Sequence, residues 1–134
     1  MSKLLQGNKA LVLGVANRWS LAYAISQAFV REAADLVLTY QGDRQKATVE
    51  ELAHELAPEA RVYPCDVTQA EQLEALVGNL RADLGTLDTV VHSIAFANRE
   101  ELSRAFVETS RDGYLLAQEV SSFSLVSRTP PTPK

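Results

Sequence analysis

Short apolar runs alternate along the chain with longer segments in which apolar residues recur every three or four positions. The short runs are typical of strands buried in a sheet, and four of them occur: 10–13, 36–38, 61–65 and 87–93. The longer segments are typical of helices with one buried face, and three lie between the strands: 21–29, 49–56 and 73–84. A fourth helix is predicted to begin near Thr109 or Ser110 and to run to about Val126.

Local signals mark the ends of several of these elements. Ser20 is a candidate N-cap for the first helix, and Thr68 with Glu71 forms a capping-box pattern before the third helix. Pro58 is expected to stop the second helix. Pro64 predicts a strand end or a bulge, because proline has no backbone N–H to donate.

The alternation of buried strands with amphipathic helices predicts an α/β fold of the Rossmann-like, doubly wound type. In that fold a parallel sheet is covered by helices on both faces. Right-handed crossover connections then decide which face each helix covers.

Composition narrows the class of protein. The chain has 134 residues, of which 46% are hydrophobic and 22% charged, as in one ordinary folded domain. The net charge of −4 argues against a general nucleic-acid binder. The chain has neither the ~18-residue apolar run of a membrane span nor a signal-peptide pattern, so we expect a cytoplasmic location. The single cysteine, Cys65, excludes an internal disulfide, and two scattered histidines, His54 and His92, argue against a structural metal site.

The loop after the first strand is a candidate phosphate site. It contains a single glycine, Gly14, so the G-x-G-x-x-G fingerprint is not matched. Small residues such as Ala16 and Ser20 would still allow a phosphate to approach the backbone at a helix N-terminus. A simple strand-to-helix turn remains an equally good interpretation.

The end of the second strand carries Gln41, where dinucleotide-binding proteins usually place an acidic residue for a ribose. Asp35 lies at the wrong end of the strand. Gln41 is neutral and offers no charge to a 2′-phosphate, whereas Arg44 and Lys46 lie just beyond it, so the sequence leaves NADP open.

The ends of the third and fourth strands carry weaker evidence for a binding site. Asp66 either accepts a hydrogen bond from an adenine amino group or caps the following turn. The small residues of 93–97 either border a flat ligand or form a tight crossover. His92 is expected to be a core histidine satisfied by a hydrogen bond, and Trp19 either covers a nucleotide or plugs the surface of the first helix.

Four stretches at these strand ends together resemble bacterial enoyl-acyl carrier protein reductase, a divergent branch of the short-chain dehydrogenase/reductases. They are GVANRWSLA at 14–22, TYQ at 39–41, CDV at 65–67 and VHSIAFA at 91–97. The segment 110–124 also resembles the fourth helix of that family, so the likeness runs from about Leu5 to about Val126.

The resemblance implies a binding site for NADH, with NADPH as the less favoured cofactor. The implied contacts are Gly14, Ser20 and Leu21 with the pyrophosphate; Gln41 with the adenosine ribose; Asp66 and Val67 with the adenine; Ser93, Ile94 and Ala95 with the second ribose and the nicotinamide; and Ala97 with the acyl substrate.

The resemblance also implies a reaction in fatty acid biosynthesis. Hydride passes from the nicotinamide to the β-carbon of an enoyl thioester on acyl carrier protein, and full-length members form homo-oligomers that are tetramers. The family's catalytic pair is a tyrosine with a lysine seven positions later. None of the four tyrosines in this chain has a lysine seven or four positions later. We therefore predict no catalytic residue in this chain and no turnover by it alone.

We expect the chain to hold the N-terminal half of such a reductase, as a partial dinucleotide-binding domain over 1–126. The segment 127–134 is expected to be an extended, proline-rich tail foreign to the family. The fourth helix would then lack neighbours for its apolar residues, which predicts exposed apolar surface and self-association.

Two other functions compete with this one. A nucleotide-binding or assembly module without catalysis would bind the cofactor, form a defined oligomer and show no turnover. A receiver-like signalling domain has a similar length and fold, but the first strand ends in Leu13 and Gly14, without the paired acidic residues that bind Mg²⁺ there.

Overall fold

The computed structural model describes residues 3–126. Four strands form one parallel sheet in the order β3-β2-β1-β4. Their bounds are β1 Lys9–Leu13, β2 Asp35–Tyr40, β3 Arg61–Pro64 and β4 Thr89–His92. This order is that of the first four strands of a doubly wound sheet, so the predicted fold class is confirmed.

Three long helices connect the strands: α1 Leu21–Arg31, α2 Asp43–Leu56 and α3 Ala70–Leu84. A short helix, α4 Arg99–Ser103, and a 3₁₀ turn, Phe106–Glu108, follow β4. The last helix, α5 Arg111–Gln118, continues through a π-helical turn, Glu119–Phe123, into a final turn, α6 Ser124–Val126. Within the described part of the chain, no helix has the length and apolar character needed to cross a membrane.

The core lies where α1 and α2 pack on one face of β1 and β2. The central residues of both strands, 10–13 and 36–39, are buried on both faces, as their continuous apolar runs predict. Val49, Leu52 and Ala53 of α2 pack into the same cluster as Ala22 and Tyr23 of α1. Right-handed crossovers place α3 on the opposite face, where Leu76 and Leu80 are buried.

The chain divides into two compact units, one ending at Ser93 and the other beginning at Ile94. The first unit holds the sheet with α1, α2 and α3. The second unit holds α4 and the helical segment from Arg111 to Val126.

The capping box predicted from Thr68 and Glu71 is wrong. The N-cap of α3 is Gln69, which makes no side-chain capping bond. The Thr68 hydroxyl donates instead to Asp66 Oδ1 at 2.8 Å. α3 begins one residue later than the pattern predicts, so Thr68 lies outside the N-cap position and its hydroxyl is not in place to accept a helix N–H.

The fourth predicted helix is confirmed at its start, but a shorter helix precedes it. Ser110 caps α5 by accepting the Gly113 N–H at 3.0 Å. The sequence pattern missed α4, which is held by Glu101. The carboxylate of Glu101 accepts the Ser110 N–H at 3.0 Å as well as the Ser110 hydroxyl. These two bonds lower the pKa of Glu101, and Arg104, 3.7 Å away, adds to the effect.

Apolar side chains remain exposed along the last helix, as predicted. Leu115, Phe123, Leu125 and Val126 are each at least half exposed, whereas Val120 is buried. Whether this surface causes self-association stays a prediction.

A Schellman motif closes α1 with an alanine where glycine is usual. Ala33 N–H donates to Val30 O at 2.9 Å, and Ala34 N–H donates to Phe29 O at 3.0 Å. The motif requires a left-handed residue, and Ala33 has φ 65°. An alanine is strained in this region because its Cβ crowds the backbone.

We predict that Ala33→Gly stabilises the chain. Relief of about 1–2 kcal/mol of left-handed strain exceeds the ~0.4–1 kcal/mol entropic cost of a glycine in the unfolded state. The net gain in the free energy of unfolding should be about 0.5–1 kcal/mol in urea denaturation. Ala24→Gly is the matched control, because Ala24 is exposed inside α1, and it should lose about 1 kcal/mol. Equal destabilisation by both substitutions would contradict the strain argument.

Candidate functional site

The C-terminal ends of the four parallel strands lie along one edge of the sheet. Each of these ends carries residues that the sequence predicted for a binding site. In spatial order from β3 to β4, they are Asp66, Gln41, Gly14 and Ser93. Adjacent strands are about 4.8 Å apart, so the row extends over about 14 Å. The order of strands reverses between β1 and β4, which is where ligands bind in open α/β sheets.

Gly14 and Ser93 meet at this reversal point. Gly14 has φ +104°, a region that glycine adopts without strain. A Cβ built on Gly14 would overlap the carbonyl oxygen of Ser93. The Ser93 N–H donates to Leu13 O at 3.0 Å and extends the β1–β4 pairing by one bond. The glycine therefore allows the two chain segments to approach closely as they leave the sheet.

The loop between β1 and α1 forms a self-contained turn. The Asn17 side chain accepts the Trp19 N–H at 2.8 Å, and the Asn17 carbonyl accepts the Ser20 hydroxyl at 2.8 Å. Ser20 is the N-cap of α1, as predicted, because its hydroxyl accepts the Tyr23 N–H at 3.3 Å. Leu21 begins α1, where the first backbone N–H groups have no acceptor within the helix. These N–H groups and the positive end of the helix dipole suit an anion.

Gln41 and Asp66 contact each other at the ends of β2 and β3. Partial burial raises the pKa of Asp66, but hydrogen bonds from the Thr68 N–H, the Thr68 hydroxyl and the Gln41 side chain outweigh it. The pKa of Asp66 therefore lies below the usual value of an aspartate side chain. The Thr68 N–H donates to Asp66 Oδ1 at 2.9 Å. Asp66 thus caps the following turn, one of the two roles predicted for it from the sequence. It also presents a fixed negative charge beside Gln41.

The other residues near this end of the sheet differ in exposure. Val67 follows Asp66 and is half-buried, whereas Arg44 and Lys46 are exposed on the first turns of α2. Trp19 is 92% exposed, which rules out a plug packed against α1. His54 is exposed on α2.

Three predicted site residues belong to the second unit. Ile94 and Ala97 are half-buried, and Ala95 is exposed. The Ser121 hydroxyl holds the backbone between them, because it accepts the Phe96 N–H at 3.0 Å and donates to Phe96 O at 3.2 Å. The backbone conformation of this segment therefore depends on a polar side chain of the last helix.

Two other sequence predictions concern buried polar groups. Cys65 is buried, as is common for a free cysteine. His92, predicted to be a core histidine, is only half-buried. Among residues 3–126, no three side chains of histidine, cysteine, aspartate and glutamate are grouped so that they could hold a metal ion.

Sequence reasoning missed an ion pair at the tip of the β1–α1 loop. Arg18 Nε donates to Glu55 Oε2 at 3.2 Å, and its Nη2 contacts the other oxygen of the same carboxylate. Glu51 lies 3.8 Å from Nη2. The four-residue spacing of Glu51 and Glu55 on one helix face is a visible signal, but the sequence does not show which cation they share.

Comparison with known proteins agrees with this geometry. Residues 14–129 match the family model described as enoyl-(acyl carrier protein) reductase. The NADH-type enoyl-acyl-carrier-protein reductase of Bacillus cereus is 47% identical over 126 residues, which are 93% of this chain and 49% of the relative. The chain therefore spans about half the length of the curated relatives it matches.

Solved structures share the fold over nearly the whole chain. The Bacillus cereus enoyl-acyl carrier protein reductase with NADP⁺ and an indole naphthyridinone has a TM-score of 0.91 and 46% identity, covering 94% of this chain and 49% of that one. The Anaplasma phagocytophilum reductase in complex with NAD has a TM-score of 0.90 and 34% identity, covering 96% and 48%.

A parallel sheet with this strand order and with helices on both faces defines the doubly wound class of α/β folds. Within that class, this chain belongs to the enoyl-acyl carrier protein reductase family.

We predict that Gly14→Ala destabilises the chain by about 2–5 kcal/mol, because it combines left-handed strain with an overlap on the Ser93 carbonyl. Gly78→Ala is the matched control. Gly78 lies inside α3, and an added methyl group there meets nothing within 4 Å, so this variant should gain about 0.5–1 kcal/mol. Urea denaturation measures both. A Gly14→Ala variant as stable as the wild type would contradict the close approach.

The lowered pKa of Asp66 predicts a specific pH dependence of stability. A carboxylate whose folded pKa is depressed stabilises the folded state above its unfolded pKa of about 3.9. This contribution is lost as the pH falls through the folded pKa. The free energy of unfolding of the wild type should therefore exceed that of Asp66→Asn by less as the pH is lowered. Thr68→Val, which removes only the hydroxyl bond to Asp66, should lose part of the same pH-dependent stability. Chemical denaturation over a pH series measures this, and a difference that does not vary with pH would contradict it.

Proposed function

We propose that this chain binds NADH along the C-terminal edge of its sheet, as the nucleotide-binding part of an enoyl-acyl carrier protein reductase. The observation that carries the proposal is the approach of Gly14 to Ser93 at the point where the strand order reverses. Relatives with the same fold are named as NADH enzymes or were solved with NAD or NADP⁺.

Each part of the dinucleotide has a chemically suitable set of residues, which we propose as its site. The proposed contacts are Gly14, Ser20 and the Leu21 N–H for the pyrophosphate; Gln41 for the adenosine ribose; Asp66 and Val67 for the adenine; Ser93, Ile94 and Ala95 for the second ribose and the nicotinamide; and Ala97 for the acyl substrate. Backbone N–H groups bind phosphate oxygens, an amide side chain bonds ribose hydroxyls, and a carboxylate accepts from an amino group.

A preference for NADH follows from the charge beside Gln41. The ionised carboxylate of Asp66 contacts Gln41, so a 2′-phosphate at this ribose would meet a negative charge. The cations Arg44 and Lys46 are exposed in solvent on α2, where their charges are screened. The neutral hydroxyls of NADH suit Gln41 better.

In the whole reductase, the proposed reaction is reduction of the carbon–carbon double bond of an enoyl thioester on acyl carrier protein. A bound dihydronicotinamide would supply a hydride to the β-carbon and become the oxidised nicotinamide, and a proton added at the α-carbon would complete the reduction. We also propose a cytoplasmic homo-oligomer, as the family resemblance implies.

A second candidate function is nucleotide binding without catalysis by this chain itself. It is favoured by the absence, within residues 1–134, of a tyrosine followed by a lysine at the family spacing. Binding with no reduction of an enoyl thioester by the purified chain is the expected result.

The proposal is tested by titrating the purified chain with NADH and with NADPH. Trp19 is the single tryptophan and lies in the β1–α1 loop, so energy transfer from Trp19 to the reduced nicotinamide should report binding. We expect saturable binding that favours NADH. Gln41→Arg should raise the affinity for NADPH relative to NADH about tenfold, because an arginine forms charge-assisted bonds with phosphate.

Gln27→Arg is the control for net charge, because Gln27 is exposed on α1. It should leave the ratio of the two affinities unchanged. A folded chain that shows no saturable binding of either nucleotide would contradict the proposal. An equal shift of the ratio by both variants would contradict the role of Gln41.

A further inference from the structure

The tip of the β1–α1 loop is exposed and yet is joined to a neighbouring helix. Residues 16–19 are all exposed, and the bonds made by Asn17 close the turn without fixing it to the rest of the molecule. Arg18 extends from this tip to α2. Within residues 3–126, no other side-chain hydrogen bond or ion pair joins the tip to α2.

The contact has a directional geometry. Both nitrogens of one edge of the Arg18 guanidinium face the two oxygens of Glu55, with Nε 3.2 Å from Oε2. Such bidentate pairs fix an orientation as well as a distance. Glu51 precedes Glu55 by one helical turn on the same face, so the two carboxylates repel each other unless a cation lies between them.

The helix that Arg18 contacts begins shortly after the proposed ribose residue, Gln41. α2 begins at Asp43, two residues after Gln41, and Val49 and Leu52 bury it against the sheet. The β1–α1 loop ends at Ser20 and Leu21, the proposed pyrophosphate site. The ion pair therefore joins the loop that ends at the proposed pyrophosphate site to the last turn of the helix that follows the proposed ribose residue.

We propose that Arg18 is a positioning residue for nucleotide binding, which rests on the proposed function above. Paired with Glu55 and Glu51, it holds the β1–α1 loop at a set distance from α2 and does not itself contact the phosphates. The side chains of Arg18 and Glu55 are 55% and 37% exposed. We therefore expect a modest effect of about two- to five-fold on Kd, which salt should weaken further.

The test compares Glu55→Gln with the control Glu50→Gln. Glu50 is exposed on the same helix and carries the same charge, and it makes no contact with Arg18. In titrations at low salt, Glu55→Gln should weaken the binding of NADH and of ADP by about two- to five-fold. The affinity for adenosine, which lacks phosphate, should be unchanged. Glu50→Gln should change none of the three. The double variant Arg18→Glu with Glu55→Arg should restore the affinities for NADH and ADP.

Three outcomes would overturn the proposal. Unchanged NADH affinity in Glu55→Gln would show that the pair positions nothing. Tighter NADH binding by Glu55→Gln would show that Arg18, once released, contacts the phosphates directly. An equal loss of affinity for adenosine would indicate a general structural effect of the substitution and not the positioning of the phosphates.

A second measurement distinguishes this inference from the proposed function. Amide hydrogen exchange at 17–20, followed by NMR without any nucleotide, should be faster in Glu55→Gln than in Glu50→Gln if the ion pair orders the loop. Equal exchange overturns the inference even when NADH binds. Failure of the wild type to bind NADH overturns the proposed function and, with it, the nucleotide role of Arg18.

Discussion

The close approach of β1 and β4 at their C-terminal ends is the constraint on which the rest of the site depends. Gly14 can adopt φ +104° and has no Cβ, so the Ser93 carbonyl lies where a side chain would otherwise project. This contact occurs where the strand order reverses, between β1 and β4. The position of α1, and therefore of the N–H groups at its first turn, follows from it.

The electrostatics of the site edge favour backbone donors over side-chain cations. In the β1–α1 loop, the charge of Arg18 is shared with Glu51 and Glu55. At the ends of β2 and β3, Asp66 keeps a negative charge next to Gln41. The anion site that we propose would then depend on the helix N-terminus at Leu21, whose dipole and backbone N–H groups need no side chain.

Much of the fold could be predicted because its strands are continuous apolar runs and its first helix has a strong N-cap at Ser20. The features that the sequence predicted wrongly or did not predict have local physical causes. Thr68 does not cap α3, because the helix begins one residue later, with Gln69 as its N-cap. The helix α4 is short and polar and depends on the bonds between Glu101 and Ser110, which no periodicity encodes. The pair of Arg18 and Glu55 joins residues 37 positions apart, a contact that exists only in the folded chain.

We propose that the sheet edge from β3 to β4 forms one nucleotide site. The most direct test is to titrate isotope-labelled chain with NADH and to follow its backbone amide signals by NMR. Saturable shifts should concentrate after all four strands, at 14–21, Gln41, 66–67 and Ser93. The claim would be contradicted if the largest shifts fell instead in the cleft lined by Glu50, His54 and Val62, or if no signal shifted.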